Sequence, residues 1–236
     1  MKKSHFVLLL ITTLLVLDQT LKIWVKLHMP LGDSFKVLGL DWFQIRFTDN
    51  RGMAFGMELG GDWGKLVLSV FRIVVVSAMG YFIVRLIRKN ASYLLLTCIA
   101  FIFAGALGNI LDSIFYGVIF SDSGSFHSPR IASFMPEEGG YAPVLFGEVV
   151  DMLYFPLYEG AWPAWVPFVG GDYLLFFRPI FNIADSAISI GVVLALLFYR
   201  RLQAELDPET ATKEENSSKD SELPLAEAPE DPPLLS

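Results

Sequence analysis

An all-α membrane protein with four transmembrane helices and a small β-sheet resting on the outer membrane surface is the fold class this sequence predicts, and three observations predict it. Apolar residues make up 53% of the chain and charged ones only 18%, with a mean hydropathy of +0.49, a balance that water-soluble domains of this size rarely show. Four windows, at about 6–25, 66–84, 91–111 and 179–199, are each apolar over the roughly 20 residues that a bilayer-spanning helix needs. Between the first two windows, Phe43, Ile45 and Phe47 alternate with Trp42, Gln44, Arg46 and Thr48, the period of two that marks a strand.

The first window follows Lys2 and Lys3 and imitates a secretory signal. No small-residue cleavage site follows it and apolar character resumes in L-K-I-W-V after Asp18, so it reads as an uncleaved signal anchor. Basic residues concentrate at one side of the predicted spans. Lys2 and Lys3 precede the first, Arg85, Arg88 and Lys89 join the second to the third, and Arg200 and Arg201 follow the fourth. Positive charge of this density marks the cytoplasmic side, so both termini are expected there and the segments 26–65 and 112–178 outside. Residues 118–147 are rich in Ser, Gly and Pro without helical period and read as loop. Residues 152–181 hold ten aromatics, Trp162 and Trp165 among them, which suits a headgroup belt. Cys98, the single cysteine, reads as a small packing residue in the third span.

The formal charge of −7 is misleading as a guide to partners. From Gln203 to Ser236 there are ten Asp or Glu against two Lys, so the rest of the chain is near neutral. That Pro-containing, aromatic-free stretch has the composition of a disordered acidic tail, and the organisation expected is a membrane domain over 1–202 and a solvated cytoplasmic tail over 203–236.

Chemistry is sought where the membrane makes polarity costly. An ionisable residue at the centre of a span costs at least about 2.5–3.5 kcal/mol and is a functional hypothesis by default. Asp18, Asn109, Asp112, Asn182 and Asp185 all fall within about 10 Å of the expected outer boundary at 1.5 Å per residue. Asn109 and Asp112, like Asn182 and Asp185, are three apart and share a helix face, so two helices present N-x-x-D at one level. Arg72, in the second span, reads as a side chain that snorkels outward. Asp18 and Lys22, four apart, read as a structural ion pair.

Elimination narrows the reaction class. His5, His28 and His127 are scattered and no H-E-x-x-H occurs, which argues against a zinc peptidase. No His lies in the polar layer to serve a nucleophilic Ser. Carboxylates remain, and Asp151 in G-E-V-V-D-M-L-Y-F is the partner indicated for Asp185. Two carboxyls held close share a proton, so one can act as base on water while the other donates to a scissile amide. An ion-coupled transporter is the alternative, because carboxylates inside spans also mark proton relays; the midplane site and internal repeats of transporters are not apparent. A scaffold for membrane assembly would account for the aromatic belt but not for the level polar layer.

D-Q-T-L-K (18–22), N-R-G-M-A-F-G (50–56), G-A-L-G-N-I-L-D (105–112), V-V-D (149–151) and F-N-I-A-D-S-A-I (181–188) occur in an order that resembles the prolipoprotein signal peptidases, or signal peptidase II family. The resemblance spans residues 18–188. It implies an intramembrane aspartic endopeptidase of the bacterial inner membrane whose site faces the periplasm. The implied substrates are diacylglyceryl-modified prolipoproteins, cut before the lipidated cysteine. Asp151 and Asp185 would be the catalytic pair, Asn50, Gly52, Asn109 and Asn182 would bind or orient substrate, and Asp18, Lys22 and Asp112 would support the site. No cofactor, metal or nucleic acid is implied; membrane lipids are the other expected partner. Two departures stand out. Ser113 occupies a position that is usually basic in the family, with Arg51, Arg72 and Arg130 as candidates for the missing charge, and about 30 residues separate G-N-x-x-D from V-V-D where the family generally has a few.

Overall fold

The computed structural model describes residues 1–50, 61–156, 158–161, 165, 173–176 and 179–206. It is mostly helical. Helix α1 runs Lys3–His28, α2 Gly61–Arg88 and α3 Tyr93–Leu111. Helix α3 passes into a π-helical turn, Asp112–Tyr116, and a short turn α4, Gly117–Ile119. Helix α5 is Ile183–Leu197 and α6 Tyr199–Leu206. Three of these are long and apolar enough alone to cross a membrane, Lys3–His28, Trp63–Arg88 and Tyr93–Ile119, and α5 joins them only when counted with α6. Large apolar side chains such as Leu8, Leu17, Phe71, Val74, Val193 and Leu196 are exposed, the pattern of helices whose outer faces meet lipid rather than water.

The structure begins the last span later than hydropathy predicts. Ile180 and Phe181 are strand residues, paired with Tyr154 and Leu153, and only after Asn182 does the helix start. An apolar window does not distinguish a buried strand from a helix. The first two helices extend beyond their windows at both ends because their polar termini continue the same hydrogen-bonded turns. Helix α6 continues to Leu206, four residues into the stretch expected to be tail; the remainder of that stretch, 207–236, lies outside the described residues.

The chain divides into two units. In Met1–Leu194, an antiparallel sheet has the order β1-β2-β5-β8, with β1 Ser34–Lys36, β2 Gln44–Asn50, β5 Val149–Tyr154 and β8 Ile180–Phe181. The alternation read from the sequence appears in β2: Ile45 and Phe47 are buried and join Val150, Met152, Val25, Met29, Tyr116 and Phe120 in one core. Two small hairpins, β3–β4 (Gly124–Ser125 with Ser128–Pro129) and β6–β7 (Tyr158–Ala161 with Tyr173–Phe176), lie outside the main sheet. In the second unit, Ala195–Ser236, the described residues are the end of α5 and α6.

The segment 118–147 is irregular, as its composition suggests, but it is packed. Phe120, Ser123 and Ala132 are buried, Ser121 and Ser133 are joined backbone to backbone, and the Tyr141 hydroxyl accepts from the Glu148 amide at 2.6 Å. Burial pushes the Tyr141 phenol well above its usual range.

Close approach of α3 to its neighbours is what brings the polar groups together. A Cβ added to Gly105 would overlap the Ala184 carbonyl oxygen on α5, and one added to Gly108 would lie 2.9 Å from Asp18 Oδ2 on α1. Glycine removes the side chain that would hold these backbones apart.

Candidate active site

The start of α5 is fixed by reciprocal bonds. Asn182 stands just before the helix and its Oδ1 accepts from the Asp185 amide at 2.8 Å, as an N-cap residue does three positions before its donor. Asp185 Oδ2 returns toward the Asn182 amide at 3.5 Å, the geometry of a capping box. The N-x-x-D spacing thus has a local structural cause. The next exposed donor of the first turn, the Ala184 amide, is satisfied from another helix, by Asp18 Oδ1 at 2.8 Å.

What the cap leaves free faces inward. Asn182 Nδ2 donates to Asp151 Oδ1 at 2.7 Å, to Asn109 Oδ1 at 3.1 Å and to the Val150 carbonyl at 3.3 Å. Asn109 Nδ2 donates to Asp185 Oδ1 at 2.7 Å. Asn50 Nδ2 donates to Asp151 Oδ2 at 3.0 Å. The sheet explains the last contact: Asp151 on β5 lies opposite Thr48, and Asn50, two residues on, shares that face of β2. Three asparagines from three elements therefore hold two aspartates from two others.

A second layer supports the first. Lys22 is fully buried, and its three ammonium donors go to Asp18 Oδ2 at 2.9 Å, Asp112 Oδ2 at 2.7 Å and Asn109 Oδ1 at 2.9 Å. Because Asn109 Oδ1 accepts from Lys22, its amide nitrogen is turned toward Asp185. Asp112 also accepts from Gln19 Nε2 at 2.8 Å and faces the Val150 amide at 3.4 Å. Asp112 is thus one step removed from the aspartate pair, although it shares the N-x-x-D spacing with Asn109. Among the described residues, every buried side-chain nitrogen and oxygen has a partner.

Environment separates the two aspartates. Asp151 is 3% exposed, and burial, reinforced by the charge of Asp185 and opposed by bonds from Asn50 and Asn182 and by Lys22, pushes its carboxyl up to about 7. Asp185 is partly buried, sits in the first turn of a helix where the backbone favours negative charge, and lines a cavity of about 210 Å³ with Asn109, Arg72, Phe71 and Ile188. Such an arrangement supplies a protonated and an ionised carboxyl side by side, which is what hydrolysis by general acid and general base requires.

Of the residues singled out in the sequence, Asp151, Asp185, Asn50, Asn109 and Asn182 meet directly, and Asp18, Lys22 and Asp112 form the layer behind them. Gly52 lies outside the described residues, as does Arg51. Sequence reasoning missed Gln19, whose Oε1 accepts from the Tyr116 hydroxyl at 3.1 Å; its place inside D-Q-T-L-K was the available signal. It also missed Lys26, buried and bonded to Asp49 at 2.9 Å and Ser123 Oγ at 3.0 Å. Asp18, Lys22 and Lys26 follow at intervals of four on one helix face, a pattern visible in the sequence. Among the described residues no cluster of three His, Cys, Asp or Glu could hold a metal ion.

Comparison with known proteins agrees with this constellation. A family profile described as signal peptidase (SPase) II matches residues 10–201. The chain is 51% identical over 214 residues to a lipoprotein signal peptidase of Porphyromonas gingivalis, covering 90% of this chain and 91% of that protein. It is 37% identical over 211 residues to the lipoprotein signal peptidase of Amoebophilus asiaticus, covering 88% and 82%. Two solved bacterial membrane enzymes resemble it in fold. One, determined by the in meso method at 1.9 Å resolution, gives a TM-score of 0.51 at 28% identity over 82% of this chain and 91% of that one. The other, at 2.3 Å, gives 0.52 at 25% identity over 87% and 92%.

Proposed function

This chain belongs to the signal peptidase II family of membrane proteases, and from that premise we propose that Asp151 and Asp185 are its catalytic pair, acting on diacylglyceryl-modified prolipoproteins just before the lipidated cysteine. The observation that carries the proposal is Asn182, whose one side chain caps the helix of Asp185 and donates to Asp151. Asp185 takes a proton from water as its oxygen adds to the scissile carbonyl carbon. Asp151 gives its proton to the amide nitrogen as the C–N bond breaks, releasing the signal segment's carboxyl and the cysteine's amine. The pair returns to its starting state when the proton gained by Asp185 passes to Asp151. Asn50, Asn109 and Asn182 orient the two carboxyls and the substrate backbone, with Gly52 in the same motif; Asp18, Lys22 and Asp112 hold the asparagines in register.

The same reading places four spans in the bacterial inner membrane, with both termini cytoplasmic, the sheet at the periplasmic surface and the acidic stretch 203–236 as a cytoplasmic tail. A lipid-anchored cysteine lies at the outer leaflet while its signal helix occupies the bilayer, so the scissile bond comes to the level of the aspartates. The test uses purified protein with a diacylglyceryl precursor, read by mass spectrometry. Asp151→Asn and Asp185→Asn should each lose cleavage by at least about 10³-fold, a loss on the scale of removing one member of a cooperating catalytic set, with insertion and melting temperature retained. Cleavage at the wild-type rate by either variant would overturn the assignment. Proton uptake into vesicles without cleavage by the wild type would favour the transporter.

A further inference from the structure

Helix α2 carries one ionisable residue in its middle. Arg72 lies about 16 Å along the helix from Gly61 at 1.5 Å per residue, where a charge is retained only with a purpose. A snorkelling arginine would turn its guanidinium to the surface. Instead Arg72 is partly buried and lines the same cavity as Asp185 and Asn109, whose other walls are the apolar Phe71, Val75, Ala106 and Ile188. It interacts electrostatically with Asp185 across that cavity.

The surroundings of Asp185 can be enumerated among the described residues. Helix α2 presents Arg72; α3 presents Asn109, bonded to it at 2.7 Å; β5 presents Asp151, a like charge when ionised; α1 presents Lys22, which reaches it through Asn109. Its own helix offers the amide end of the first turn. Arg72 is the cation that faces Asp185 without an intervening side chain, since the ammonium of Lys22 is taken up by Asp18, Asp112 and Asn109.

We infer that Arg72 is a positioning residue for the reaction, a fixed positive charge on the cavity wall that holds Asp185 as the ionised member of the pair and so assigns it as base and Asp151 as acid. When an apolar substrate fills the cavity and displaces water, the attraction between Arg72 and Asp185 strengthens in the lower dielectric. The base is thereby kept charged at the step that needs it. This rests on the aspartate pair proposed above.

The experiment measures kcat and KM for a diacylglyceryl precursor from pH 5 to 9 in wild type, Arg72→Met, Arg72→Gln and Arg72→Lys. With Met or Gln, the acidic limb of the activity profile should move to higher pH by one unit or more. The kcat at pH 6 should fall at least tenfold with KM changed less than threefold, and the alkaline limb should stay in place. Lys should restore the wild-type limb and most of kcat. Loss confined to KM, an unmoved acidic limb in Gln or Met, or a Lys variant no better than Gln would overturn the inference. If Met fails to insert, Gln against Lys decides alone, since the two differ in charge. Inactive Asp151→Asn and Asp185→Asn beside an unmoved Arg72 profile would sink this inference and leave the aspartate pair standing; active aspartate variants would remove the pair itself.

Discussion

Asp151 gathers at one side chain the conflict between burial and charge that the site exploits. Its usual value is 3.8, and the fold raises it to about 7, chiefly by burial. The sign of the consequence follows from proton counting: between about pH 4 and pH 7 the native state binds a proton at Asp151 that the unfolded chain has released. Stability should therefore decline as pH rises through that window and level off above it, by about 4 kcal/mol at most for a shift of this size. Asp151→Asn should flatten that slope, and melting curves in detergent at pH 4.5, 6 and 7.5 will check it. Activity should fall on the alkaline side above about pH 7 as the acid loses its proton. A stability slope that survives in Asp151→Asn would show that other groups set it. Lys22 shows the complementary solution, a cation made tolerable by giving each donor an acceptor.

At the scale of elements, the spacing that matters is how closely helices approach. Gly105 and Gly108 let α3 meet α5 and α1 at backbone distance, which is what allows Asn109 to reach Asp185 on one side and Lys22 on the other. Gly105→Ala should lower the melting temperature by several degrees, because the added carbon overlaps the Ala184 carbonyl and overpacking costs about 1–3 kcal/mol; cleavage should fall with it. Gly80→Ala is the control, since its added carbon would meet Phe103 at 3.4 Å, an ordinary contact, and the change favours helix. Equal melting of the two variants would refute the close-approach argument. These glycines were legible in the sequence only as parts of a motif, whereas the helices of 26 and 28 residues announced themselves through hydropathy. Strand β2 was legible from alternation because one face is buried. Strands β5 and β8 were not: V-V-D-M-L-Y is buried almost throughout, so no period of two marks it, and Ile180–Phe181 hides at the edge of an apolar window. The packing of 118–147 was illegible for a related reason, since its anchors Phe120, Ser123 and Tyr141 are isolated in sequence and meet partners such as Lys26 only through the fold.

For the whole molecule, catalysis on an externalised precursor requires the polar layer to lie on the side away from the cytoplasm, and the charges around the spans bear on that directly. Arg85, Arg88 and Lys89 sit at the junction of α2 and α3, the end opposite the aspartates along both helices. Lys3 reinforces the same end, donating to the carbonyls of Asn90 and Ala91 at 2.7 and 2.6 Å. The start of α1 and the α2–α3 turn are therefore tied together at one pole, and Asp18, Asn109 and Asp112 lie toward the other. Dense positive charge is retained in the cytoplasm during insertion, so the tied pole should be inside and the sheet outside. A reporter that matures only outside the cytoplasm should be active when inserted near Ser133, an exposed position, and inactive when fused after Ser236. Neutralising Lys2, Lys3, Arg85, Arg88 and Lys89 together should weaken that asymmetry and reduce cleavage of an exported precursor, while reversal of Asp41 and Asp122 should leave orientation unchanged because acidic residues carry little topological weight. Activity of the reporter after Ser236 in the unaltered chain would put the aspartates on the cytoplasmic side, where an exported lipid-anchored precursor does not present its cleavage site.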